Sequence, residues 1–159
     1  MSRITEADLH SWNDPDELLQ ALGQLGKDQK SELREAVAAL LEHDDADIRE
    51  EAMRTLLVSW KDQQWRDRAV AAIHSDDVPE VRSTAAYAVA ATSTDATRRG
   101  DTQLLRGVLE DEHAELPVRA AAYDAILILN RKPDFPTRTR DFNPREDVDW
   151  HWVRSLDQN

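Results

Sequence analysis

The sequence predicts an all-α fold, an α-α superhelix of about three helical hairpins stacked side by side. Three observations carry that prediction. First, one pattern recurs: an aliphatic residue, Arg, two free positions, Ala, three free positions, then an aliphatic residue. The copies are Ile48-Arg49-x-x-Ala52-x-x-x-Leu56, Val81-Arg82-x-x-Ala85-x-x-x-Val89 and Val118-Arg119-x-x-Ala122-x-x-x-Ile126, their arginines recurring at intervals of 33 and 37 positions. Second, each copy follows a short acidic turn: His43-Asp44-Asp45, His74-Ser75-Asp76-Asp77 and Asp111-Glu112-His113. Third, a further apolar stripe precedes each turn, Val37 and Leu41 aligning with Ala69 and Ile73 and then with Leu105 and Leu109. A period of this length marks stacked helical units. Apolar spacing of i, i+3, i+4 gives each helix one buried stripe, and a lone pair of such helices cannot bury both stripes, so neighbours must stack.

The elements follow in order, as one domain over 1–159. Residues 1–27 form a degenerate N-terminal cap. Asp14 is placed as N-cap and Pro15 in the first turn of a helix running to about Gly23, paired with a segment Thr5–Trp12. Repeats then occupy 31–60, 63–92 and 101–130, each a helix A, an acidic turn and a helix B. Ala52, Ala85 and Ala122 fall mid-stripe, where a small side chain lets helices approach. Thr92–Asp101, rich in Ser, Thr, Asp and Gly, reads as a loop that absorbs the four extra residues of the second interval. Pro79 and Pro117 suit helix starts, where a missing N–H costs little. Residues 131–159 hold a proline-bearing strap and a tail helix. The strap carries Arg131, Lys132, Arg138 and Arg140. The helix opens at Asn143-Pro144 and presents Val148, Trp152, Val153 and Leu156, an apolar stripe that should dock on the open end of the third repeat.

Composition narrows the function. The chain has 159 residues, no cysteine and a net charge of −12. Residues 1–30 carry −3, 31–92 carry −6, 93–130 carry −3 and 131–159 carry 0, so the helical body holds all the net charge. Such a body repels phosphate backbones and anionic lipid, which argues against nucleic-acid and membrane partners. Solubility alone and attraction of a basic protein both account for the charge. With no leader-like apolar run at Met1–Glu6 and no stretch of roughly 20 apolar residues, the expected location is cytoplasmic.

At its aliphatic-Arg-x-x-Ala segments the chain resembles HEAT-like repeats, of the short bacterial type first described in phycobilin lyases. The resemblance covers roughly Ser31–Asn130. It implies a right-handed stack whose B helices line a concave face, placing Glu51, Arg54, Tyr87 and Asp124 on a partner-binding surface. It further implies ladder contacts between turn acids and arginines of neighbouring repeats, making Asp45, Arg49, Asp77, Arg82, Glu112 and Arg119 structural; capture of phosphate or carboxylate is the alternative for the arginines. Such repeats occur in scaffolds, adaptors, lyases and a few enzymes, so the fold does not name a function.

No catalytic constellation, metal site or cofactor motif is legible. His43, His74 and His113 recur near the turns, but helices packed 8–10 Å apart separate the turns too far for one zinc ion with nitrogens about 2 Å away. Phosphate loops and nucleophile elbows are lacking. HEAT-like DNA glycosylases share the architecture and are expected to show a basic groove with aromatics. Here the column five residues after each arginine is Arg54, Tyr87, Asp124 and the column two after is Glu51, Thr84, Ala121, a mixed polar surface without a basic track. Of five tryptophans, Trp65 takes a core slot and Trp60 an inter-repeat joint, whereas Trp12 and Trp150 belong to no stripe. The function expected is therefore a non-enzymatic protein-binding module: an immunity-type inhibitor of a basic toxin, or an adaptor. A tetrapyrrole (bilin) lyase or chaperone is the alternative, and it requires an apolar pocket lined by aromatics. Oligomeric state is left open.

Overall fold

The computed structural model describes residues 4–5, 9, 14–28, 31–132 and 141–156. The expected features at Trp12, Pro133, Pro136, Arg138 and Arg140 lie outside those residues. The described structure is helical and lacks strands. Helix α1 is Pro15–Asp28. The first repeat holds α2, Arg34–Ala39, extended at both ends by 3-10 turns Ser31–Leu33 and Leu40–Glu42. Its second helix α3, Ala46–Met53, continues as a π-helical stretch Arg54–Ser59. The second repeat pairs α4, Arg66–Ser75, with α5, Pro79–Ala91. The third pairs α6, Arg98–Glu110, with α7, Leu116–Leu129. Two short helices end the chain: α8, Pro144–Asp147, and α9, Trp150–Ser155.

The repeat signature lies where close packing needs it. Ala52, Ala85 and Ala122 are each completely buried, and Ile48, Val81, Val118, Leu56, Val89 and Ile126 line the same core. Side chains larger than alanine at those three positions would push the helices apart.

Two boundaries and the placement of two tryptophans differ from expectation. Helix α1 does not stop at Gly23 but runs to Asp28. Its Gly26 faces the π-helical stretch so closely that an added Cβ would stand 3.3 Å from Ser59 Oγ and 3.5 Å from Thr55 Oγ1. That glycine serves close approach, which Thr55 Oγ1 reinforces by donating to Leu22 O at 3.0 Å. Trp60 belongs to this same joint rather than to the next repeat, its Nε1–H donating to Leu25 O at 3.1 Å. The loop after α5 is shorter than Thr92–Asp101, because α6 opens with its first turn already at Arg98. That turn buries Asp101 beside Arg66. Trp65 is half-buried at the start of α4, not a core residue.

The tail helix is broken in two. Asn143 caps α8 as expected, accepting from Arg145 N–H at 3.1 Å, but Val148 is extended and Asp149 caps a second helix by accepting from Trp152 N–H at 3.0 Å. Phe142, Val148 and Val153 are buried, and the Phe142 ring stacks on Tyr123 of α7 with centroids 6.5 Å apart. Asp149 N–H donates to Tyr123 Oη at 3.2 Å. Lys132 joins the tail to the end of α7, bonding Asp149 Oδ2 at 2.7 Å and lying 4.3 Å from the Trp152 ring centre. Trp150 also has a defined place, its Nε1–H donating to Pro144 O at 2.8 Å.

Candidate protein-binding surface

The A–B turns of successive repeats line one edge of the stack. Arg49 leaves the first B helix and enters the second turn. Its Nε donates to Asp76 Oδ2 at 3.0 Å, and its Nη2 donates to Asp76 Oδ1 and Asp77 Oδ1, each at 2.9 Å. Nη1 is held by His43 O and Asp44 O at 2.9 and 3.0 Å. Arg82 repeats the motion one unit on, donating to Asp76 O at 2.6 Å and pairing with Glu115 of the third turn. Arg119 bonds Leu109 O at 2.9 Å, and no fourth acidic turn follows it among the described residues.

Arg49 and Arg82 thus reach acids of the following turn, Arg119 stays within its own repeat, and the acids are partly different from those the sequence suggested. Asp45 is an N-cap that accepts from Asp47 N–H at 2.9 Å. Asp77 meets Arg49 but leaves 88% of its side chain exposed, so Asp76, with 11% exposed, is the main partner. Glu112 is exposed, and Glu115 takes the contact attributed to it. Burial pushes the Asp76 carboxyl up, but bonds from Arg49 and from Val78 N–H outweigh it and hold the group below the usual carboxylate range. The bond to Arg82 likewise holds Glu115 low.

The B-helix column is knitted together. Arg54 pairs with Glu50 and, at 3.3 Å, with Glu51, while Glu50 Oε1 accepts from Thr84 Oγ1 at 2.9 Å in the next repeat. Tyr87 Oη donates to Asp124 Oδ2 at 2.9 Å. Asp124 is only 5% exposed, which removes it from any partner-facing set; Glu51, Arg54 and Tyr87 remain accessible in part. Burial, aided by Glu50, pushes the Glu51 carboxyl up.

A second set of inter-repeat contacts escaped the sequence. Arg34 and Arg66 each open an A helix and reach an acid at the start of the following repeat: Arg34 Nε stands 3.6 Å from Asp62 Oδ2, and Arg66 pairs with the buried Asp101. Their 32-residue spacing was a usable signal, but the acids share no column.

The outcome is a sorting of charge. Arg49, Arg66 and Arg82 are 13–16% exposed. Meanwhile Asp44, Asp47, Asp77, Glu80, Asp111 and Glu112 face solvent along the turn edge. Between successive turns lie two grooves. The larger, about 580 Å³, runs between Glu42, Asp44 and Asp77 over Leu41 and Met53; the smaller, about 300 Å³, is bounded by His74, Asp111 and Glu115. Neither is lined by an aromatic side chain, unlike the pocket a tetrapyrrole requires.

Paired helices repeated three times, coupled by side chains reaching into the next pair, define an α-helical repeat protein. The family model for HEAT repeats matches residues 34–127, and the chain belongs to that family. HEAT repeats generally mediate protein–protein interaction, and the family is typically a non-enzymatic scaffold. No curated protein and no solved structure matches the chain. None of the described helices is long and apolar enough to cross a membrane.

Proposed function

We propose that this chain is a non-enzymatic binding module for a basic protein, acting as an inhibitor or an adaptor in the cytoplasm. The observation that carries the reading is the sorting of charge. The ladder arginines are held between repeats, so the turn edge offers carboxylates without matching free cations. Such a surface raises the encounter rate with a positively charged partner and disfavours acidic competitors. The partly exposed Glu51, Arg54 and Tyr87 extend the contact onto the B-helix face.

The test is capture from the source organism, comparing the native chain with an Asp44→Asn, Asp77→Asn, Asp111→Asn variant. The expected result is a basic protein retained by the native chain at low salt, released as salt rises, and retained poorly by the variant. Capture of a neutral or acidic protein that ignores both salt and the three substitutions would overturn the reading.

A further inference from the structure

We infer that His43 makes the first turn a pH-sensitive element: its imidazole closes the turn only while Nδ1 is unprotonated, and protonation weakens the acidic edge for a basic partner. The effect on binding rests on the basic-partner reading; the cap itself does not.

One position ends each A helix and does the same work in all three turns. Asp76 follows α4, has an extended backbone and accepts from Val78 N–H through Oδ1 at 3.0 Å. Asp111 follows α6 and accepts from His113 N–H through Oδ1 at 2.9 Å. In the first turn the position belongs to His43, also extended, which accepts from Asp45 N–H through Nδ1 at 3.0 Å. The equivalence extends to the ladder. Arg49 donates to His43 O as Arg82 donates to Asp76 O, each arginine lying six residues on. An imidazole thus stands where the other turns use a carboxylate.

The exchange changes what the turn responds to. A backbone N–H can only donate, so the bond needs a lone pair on Nδ1 and puts the ring proton on Nε2. The doubly protonated ring has no acceptor, and its Nδ1–H would face Asp45 N–H. Histidine side chains ordinarily change charge between about pH 5 and 8, aspartates near about 3.9. The caps of the second and third turns are therefore indifferent to a range of pH in which an imidazole acceptor is not. Glu42, Asp44 and Asp45 surround the part-buried ring from its own turn. Arg49 of α3, Arg68 of α4, and Asp76 and Asp77 of the second turn line the same groove. An imidazolium released from Asp45 N–H meets carboxylates there and offsets part of the charge that attracts the partner. His43 O and Asp44 O also anchor Arg49, so loosening the turn frees Asp44 on the groove rim.

The experiment measures, by NMR of the nitrogen-15-labelled full chain, the scalar coupling across the bond from Asp45 N–H to His43 Nδ1. The coupling should be present at pH 8 and vanish towards pH 5 in step with the His43 ring signals. No coupling at pH 8, or one that survives protonation of the ring, overturns the switch. A capped tri-arginine peptide at low salt then probes the edge. His43→Asn keeps an acceptor, the amide oxygen, and cannot change charge. From pH 8 to pH 5 the native chain should lose at least about threefold more peptide affinity than His43→Asn, the weight of one hydrogen bond and one exposed charge. His74 and His113 are common to both chains and cancel from the comparison. An equal response in the two chains overturns the regulation of the edge. If the peptide binds neither chain at any pH, the basic-partner reading falls, while the coupling still decides the cap.

Discussion

Asp76 lies where two ladder steps meet. Its carboxylate takes Arg49 through both oxygens, one of which also caps Val78 N–H at 3.0 Å, and its carbonyl takes Arg82. The sequence suggested Asp77 because the acidic turns resemble one another in composition. Counted back from each arginine, Asp45, Asp77 and Glu112 stand four, five and seven residues away, so they never formed one geometric column. The arginines were legible because their spacing to the buried alanine is fixed by the helix; turn acids depend on loop path. Asp76→Ala should cost about 1–3 kcal/mol, the loss of charge-assisted bonds together with an under-paired Arg49. The exposed Asp77→Ala should stay within about 0.5 kcal/mol. The pH dependence has a definite sign. The folded Asp76 carboxyl is held below its ordinary value of about 3.9, so its contribution is present above that value and is lost as pH falls through the lower folded one. Urea unfolding should show the native chain and Asp76→Ala differing less near pH 3 than at neutral pH. An equal difference at both would remove the ion pair as the cause.

Among the elements, the core stripe is the most demanding feature and was the most readable. Ala85→Leu should overpack the joint of α3, α5 and α7 and cost about 1–3 kcal/mol; an unchanged melting temperature would show that the joint has slack. The tail was readable as an apolar helix but not as two. Its break at Val148–Asp149 follows from where Tyr123 and Lys132 stand, which the sequence does not reveal. By helical periodicity, Tyr123 and Leu127 point toward the position a fourth B helix would take, and both are at most 4% exposed with Phe142 stacked against Tyr123. Terminal repeats need such a cover. Ending the chain after Lys132 should uncover them and lower stability by at least about 2 kcal/mol, from the lost burial of Phe142, Val148 and Val153. A truncated protein that melts unchanged but no longer binds its partner would assign the tail to recognition instead.

At the scale of the whole molecule, the excess negative charge is external and the ladder arginines are internal. Exposed charges are screened beyond about 10 Å at 0.1 M salt. The association rate with a basic partner should therefore fall about tenfold or more from low to physiological salt while the dissociation rate changes little. A rate constant indifferent to salt would count against steering. The acidic body was legible from composition, and its placement on the turn edge followed from the repeats. The sequence hid the grooves, because each is lined by residues of two successive repeats that only the stack brings together.

The π-helical stretch Arg54–Ser59 bears on how such an array tolerates change over generations. A residue inserted into an ordinary helix rotates everything after it by about 100°, turning core positions outward. The wide turn here, closed by Trp60 N–H donating to Thr55 O at 3.1 Å, accommodates an extra residue locally. Thr55 and Ser59 both still face Gly26, and Leu56 and Leu57 remain fully buried. A one-residue change in length at this turn can thus be absorbed without rotating the neighbouring units. A one-residue insertion in this turn should leave the helical content and cooperative melting intact, whereas the same insertion in the middle of α5 should not; circular dichroism of the two variants checks it.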